Sequence, residues 1–223
     1  MKTDTRHYLI GIGILAVTFV STVGVVAYQE ANKGSWVSSA VDNTLMVQAY
    51  DPNGIPMWRG SGVIIGPGLV ATAGHVVGQG QSQIPGYLEL HNKDITYRTT
   101  IWAAHPTMDI AILYVPYLTS PEYPVWGELS DVEIGDPIRV IGHPGGMEQV
   151  WVTEGILSNY ANWDSGLWPE VAGGDVAVIG GSSGSGVYDR KGRLVGILVG
   201  KYQGLCFITD FRFWKGVGHG SEY

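Results

Sequence analysis

The sequence predicts an all-β fold in two lobes, and three observations carry that reading. Glycine supplies 33 of the 223 residues, roughly twice its usual share and without a collagen period, which implies many turns and bulges rather than long helices. Short runs rich in Val, Ile, Leu and Tyr recur, with Gly, Pro, Asn or Asp between most of them, the pattern of a sandwich or barrel of short strands. A break near residues 117–136, bordered or interrupted by Pro116, Pro121 and Pro124, divides the strand-forming region into lobes at about 44–120 and 121–217.

The elements follow in order. Residues 1–7 (MKTDTRH) carry a weak positive excess, and residues 8–28 (YLIGIGILAVTFVSTVGVVAY) hold no formal charge. About 20 apolar residues span a bilayer as a helix, so residues 8–28 read as an uncleaved signal anchor with 1–7 in the cytoplasm. The alternative is a signal peptide cleaved after Val25-Val26-Ala27, giving a secreted chain; both export the remainder. Residues 29–43 read as a tether. Strands are expected at 45–50, 62–65, 69–73, 87–90, 110–115, 138–141, 150–153, 176–179, 194–199 and 205–208. Residues 190–193 (RKGR) read as a solvated hairpin turn, 151–168 as a loop over the site or core filling, and 218–223 as a tail.

Charge and cysteine content narrow the function. Twenty acidic residues against 13 basic give a net charge of -7, which excludes nucleic acid as the main partner because phosphate binding needs a basic footprint. One cysteine, Cys206, rules out an internal disulfide and a cysteine-rich zinc site; it reads as a buried small hydrophobe. His91, His105, His143 and His219 show no metal-ligand spacing and read as solvated or core histidines, with His105 close enough to Asp109 to line a cleft.

Chemistry concentrates at three places. In Ala71-Thr72-Ala73-Gly74-His75-Val76-Val77 a strand ends in small residues that leave one face of the His75 imidazole open, as a proton shuttle requires. In Met108-Asp109-Ile110-Ala111-Ile112-Leu113 an acid opens an apolar strand, where it can hold an imidazole tautomer. In Gly180-Gly181-Ser182-Ser183-Gly184-Ser185-Gly186-Val187, glycines on both sides of a serine allow a sharp turn that aims backbone N–H groups at one point, as an oxyanion hole needs. Each motif alone has a bland explanation; the ordered set does not.

His, Asp and Ser in that order, with GSGVIIGPGLVATAGHVV (60–77), DIAIL (109–113), IGDPIRVIGHPGG (134–146), VTEGILS (152–158) and DVAVIGGSSGSGVYDRKGRLVGI (175–197), resemble the HtrA/Deg-type branch of trypsin-like serine proteases. The resemblance implies an antiparallel double β-barrel behind the transmembrane helix, with His75 as general base, Asp109 as its orienting partner and Ser183 as nucleophile. It implies an oxyanion hole from the N–H groups of Gly181 and Ser183, and a specificity pocket with Ala177 at its base and Ile197 and Val199 as walls. The strand through Gly196, Ile197, Leu198 and Val199 would receive extended peptide. No acid sits at the pocket base, so small or aliphatic side chains are expected over Lys or Arg. Protein or peptide substrates, no cofactor, and a homo-oligomer are expected, since HtrA proteins are typically trimers.

The departures are Ser185 and Gly186 where the family continues Gly-Pro, and Ser182 where trypsin carries the Asp that pairs with a new amino terminus. HtrA proteins usually add a PDZ domain, for which the residues after the last expected strand leave no room. The expected activity is a membrane-anchored serine endopeptidase; the alternative is a catalytically weak or inactive protease-like module that binds peptides. An esterase fits less well, because the Gly-x-Ser-x-Gly elbow and strand–helix alternation of α/β-hydrolases are missing.

Overall fold

The computed structural model describes residues 36–210, apart from 94, 106, 164–167 and 203. The expected membrane segment at 8–28, most of the tether, His219 and the tail lie outside the described residues. Among the described residues no helix is long and apolar enough to cross a membrane.

A seven-residue helix, α1 (Trp36–Asp42), occupies the end of the segment expected as a tether. Twelve strands follow: β1 (Thr44–Tyr50), β2 (Pro56–Gly66), β3 (Leu69–Thr72), β4 (Tyr87–Asn92), β5 (Ile95–Ala104), β6 (Ala111–Tyr114), β7 (Pro137–Gly142), β8 (Trp151–Trp163), β9 (Trp168–Asp175), β10 (Gly186–Asp189), β11 (Leu194–Tyr202) and β12 (Leu205–Asp210). They close two antiparallel barrels, in the orders β1-β2-β3-β6-β5-β4 and β10-β11-β12-β9-β8-β7. The expected all-β, two-lobed double barrel is therefore what the chain forms.

Differences from the sequence reading have local causes. β5 shows no apolar run because most of it is exposed, with only Thr99 buried among its ten residues. β9 (WPEVAGGD) contains Pro169, Gly173 and Gly174, which read as breakers. Yet Gly174 is what the barrel requires: a Cβ there would lie 2.9 Å from both Cys206 Sγ and Ile138 Cδ1. Residues 176–179, expected as a strand, form none. β9 ends at the exposed Asp175, Val176 is buried beyond it, Ala177 is exposed, and the carbonyl of Ile179 accepts from the Ser182 N–H at 3.1 Å, turning the chain into a loop. Of residues 151–168, read as a loop over the site or core filling, 151–163 form β8 and Trp168 opens β9. The 190–193 turn forms as expected: the Asp189 carboxylate accepts the N–H groups of Lys191 and Arg193 and pairs with the Arg193 guanidinium at 2.7 Å.

Each barrel carries its own apolar cluster. Leu45, Val47, Val70, Leu90 and Leu113 lie in the first, and Ile138, Val140, Leu157, Val187 and Ile208 in the second. Val199 and Phe207, on second-barrel strands, belong to the first cluster, so the lobes share packed surface.

Candidate active site

His75 stands on a single 3-10 turn (Gly74–Val77) directly after β3. Gly74 leaves the space that the Gln79 and Asp109 side chains occupy: a Cβ would meet Gln79 Oε1 at 1.9 Å and Asp109 Oδ1 at 3.1 Å. That close approach lets one carboxylate hold the turn twice. The His75 backbone N–H donates to Asp109 Oδ1 at 2.6 Å, and His75 Nδ1 lies 2.6 Å from Asp109 Oδ2. This contact occupies Nδ1 and turns Nε2 away from Asp109. The Asp109 side chain is 9% exposed and the His75 side chain 30% exposed, giving a sheltered carboxylate and an accessible imidazole.

The approach to Asp109 is built by His105. Its Nδ1 accepts the Met108 N–H at 3.0 Å, and its carbonyl accepts from Gln79 Nε2 at 2.6 Å. His105 is thus a loop-building residue here.

Ser183 lies half-buried in the loop between β9 and β10. Gly181 (φ 87°) and Gly184 (φ 89°) adopt left-handed conformations, and space forbids side chains as well: a Cβ would meet Gly146 N at 2.4 Å at the first and Ser61 O at 1.9 Å at the second. Ser182 is buried and its hydroxyl faces the Ile179 N–H at 3.4 Å, so it is turned into the loop. Ser185 is buried against Gly142. Among the described residues, the N–H groups of Gly181 and Ser183 donate to no protein acceptor, leaving two free donors beside the serine. Nor does a hydrogen bond join the Ser183 hydroxyl to His75 among these residues.

The two halves of the site meet across Gly60. A Cβ there would lie 2.6 Å from the Val76 side chain, next to His75, and 3.0 Å from the Ser183 carbonyl. Ser61 completes the junction. Its N–H donates to Ser183 O at 2.7 Å, its hydroxyl donates to Gly181 O and accepts from His143 N, both at 2.9 Å, and its carbonyl accepts from Thr72 Oγ1 at 2.7 Å. The sequence marked Gly60-Ser61-Gly62 only as part of a motif. The role of Ser61 depends on partners from both lobes, which no local pattern reveals. His143 is buried, its Nδ1 donates to Met147 O at 2.8 Å, and burial holds its pKa below the ordinary 6.5.

The residues expected to bind substrate fall in two groups. Gly196, Ile197 and Leu198 have both strand edges occupied. β10 and the Ser183 loop take one side, the latter through Gly184 N to Leu198 O at 2.7 Å and Leu198 N to Ser185 O at 2.9 Å, and β12 takes the other. Among the described residues no strand takes the Ser183 side of β11 beyond Leu198. Ala177 is exposed beside the loop, whereas the Ile197 and Val199 side chains are buried. Among the described residues no cluster of His, Cys, Asp and Glu is arranged to hold a metal.

Two closed six-stranded antiparallel barrels with a histidine–carboxylate pair on one and a glycine-bordered serine on the other define the double-barrel peptidase class of fold. Within that class, the chain belongs to the trypsin-like peptidase domain family, whose model matches residues 60–197. It is 29% identical over 144 residues to a probable periplasmic serine endoprotease, DegP-like, of Bartonella henselae, covering 64% of this chain and 28% of that one. It is 26% identical over 171 residues to the serine protease Rv3671c of Mycobacterium tuberculosis, covering 74% of this chain and 41% of that one. The chain thus spans well under half the length of these curated relatives. Among solved structures, the active form of the Rv3671c protease superposes with a TM-score of 0.70 at 21% identity, covering 85% of this chain and 86% of that one. The HtrA-type protease AlgW with a tripeptide gives 0.69 at 24% identity, covering 80% and 59%. The HtrA/DegP-type resemblance read from the motifs agrees with these relatives.

Proposed function

We propose that the chain is a serine endopeptidase acting from outside the cytoplasm. The observation that carries this reading is the doubly held His75–Asp109 pair, which faces a seam on whose other side Ser183 sits with two free backbone N–H donors, its own and that of Gly181. His75 Nε2 takes the Ser183 proton as Oγ bonds to the peptide carbonyl carbon, and Asp109 stabilises the resulting imidazolium. The N–H groups of Gly181 and Ser183 hold the oxyanion, one such donor contributing about 2.7–4 kcal/mol. The C–N bond then breaks as His75 returns the proton to the leaving amine, and water repeats the cycle on the acyl-enzyme. The reaction balances with water alone.

Residues before the cleaved bond add as a strand to the free edge of β11 from Val199 onward, and the exposed Ala177 favours a small or aliphatic side chain, the Ile197 and Val199 side chains being buried. The name of the Bartonella henselae relative, a probable periplasmic endoprotease, supports export, as does the uncharged run at 8–28, which serves as anchor or is cleaved. Assembly into a homo-oligomer follows from the same family resemblance.

A binding module without turnover is the second reading, favoured by the missing hydrogen bond between Ser183 and His75 among the described residues. A fluorophosphonate probe decides. The protease labels at Ser183 and loses label and peptide hydrolysis in Ser183→Ala; a folded chain that binds peptide yet takes no label is the binding module.

A further inference from the structure

We propose that Arg59 selects substrates carrying an acidic side chain at the second residue after the cleaved bond; the inference rests on the peptidase reading above and concerns the leaving side of that site. Ser183 is flanked by two strands. β11 is tied to its loop through Leu198, and β2 through the Ser61 N–H bonded to Ser183 O. With the acyl side of a substrate on the β11 edge, the leaving side runs the other way, over β2. A hollow of about 700 Å³ opens there, lined by Trp58, Arg59, Gly145, Gly146, Ile179 and Gly181 among others, so it begins at the candidate oxyanion loop itself.

Arg59 is two residues along β2 from Ser61. At about 3.3 Å per residue, its backbone lies about 7 Å beyond the point level with the nucleophile, the reach of the second leaving-side residue of an extended peptide. The side chain is fixed. Its Nε donates to Gln48 Oε1 at 2.6 Å, its Nη1 donates to Gly146 O at 2.9 Å, and its stem covers Gly146, whose added Cβ would sit 2.6 Å from Arg59 Cδ. Those bonds use two of the five N–H groups of a guanidinium. No carboxylate lines the hollow, and among the described residues none forms an ion pair with Arg59. Glu89 stands on the far side of Gln48, which pairs with Arg59 on one edge and Glu89 on the other. In a chain with 20 acidic and 13 basic residues, an arginine held in place without an acid beside a peptide-binding seam is a preorganised receptor for a carboxylate.

The test measures kcat/KM on C-terminally amidated peptides that differ only in Glu or Gln at that position. A third peptide has Gln there and ends at it with a free carboxylate. The wild type is expected to favour Glu over Gln by about tenfold, the usual worth of a charge-assisted hydrogen bond, and salt should shrink the ratio. In Arg59→Gln the ratio should collapse towards one, and in Arg59→Glu a Lys peptide should overtake the Glu peptide. Should Arg59→Gln fail to fold, Arg59→Lys should keep part of the preference, having the charge but not the fork. If Arg59 only braces the 145–146 turn, every peptide slows by the same factor and the ratio persists, which overturns the inference. So does wild-type cleavage indifferent to Glu, or a preference met only by the terminal carboxylate. No cleavage of any peptide, with Ser183 unlabelled, sinks the peptidase reading and this inference with it.

Discussion

Ser61 is completely buried and has every polar group engaged: its N–H and hydroxyl with the loop that carries Ser183, the same hydroxyl also with the His143 turn, and its carbonyl with Thr72. A hydroxyl can donate once and still accept, so one atom holds Gly181 O and His143 N together. In Ser61→Ala both lose their partner, and an unsatisfied buried group costs about 1–3 kcal/mol. The loop can recover the lost bond only by shifting the Gly181 carbonyl, which moves a proposed oxyanion donor. The expected outcome is a fall in kcat of at least about tenfold, since one oxyanion donor is worth about 10²–10³ in kcat, with KM little changed. Steady-state kinetics beside a melting curve separates this from simple destabilisation: equal losses in kcat/KM and in folded fraction would mean that Ser61 supports the fold and not the donors.

At the scale of elements, the 143–147 turn is where the second barrel meets that serine. His143 stays neutral because burial opposes its charge, so its folded pKa lies below the ordinary 6.5. As pH falls through 6.5 the unfolded chain takes up a proton that the folded chain refuses, so stability is full above 6.5 and declines below it. His143→Gln cannot titrate, and its melting temperature should therefore drop less between pH 7 and pH 5 than that of the wild type, even if it starts lower. An unchanged slope would show that His143 is not the group responsible. Ten short runs read from the sequence include part of nine of the twelve strands, because those strands bury an apolar face and end in recognisable turns. β5 was hidden by its exposure, β9 by glycines that serve close packing rather than turning, and β10 by the Gly-Ser loop it follows. In the candidate site, His75 and Ser183 stand out in the sequence for their small neighbours and Asp109 for opening an apolar strand. Ser61, Arg59 and the His105–Gln79 support were not, because their partners lie 26 to 120 residues away for the contacts that matter.

Across the whole molecule, the proposed base and nucleophile belong to different barrels, so the site exists only while the barrels hold together. With one cysteine in the chain, packing and hydrogen bonds must do this without an internal disulfide. β11 and β12 show how. Successive side chains on a strand point to opposite faces, and here Leu198, Cys206 and Ile208 enter the second core while Val199 and Phe207 enter the first. Two strands thereby feed both cores, and opening one should strip packing from the other. Cys206 reports on this directly: it is fully buried, and burial pushes its thiol up to about 11, so neither access nor thiolate is available in the folded chain near neutral pH. Alkylation of Cys206 along a denaturant series should rise in the same transition that abolishes fluorophosphonate labelling of Ser183, and reductant should leave the midpoint unmoved. Cys206 reacting at a denaturant concentration where Ser183 still labels would mean that the second barrel opens locally without disturbing the seam, and the shared-core account would fail.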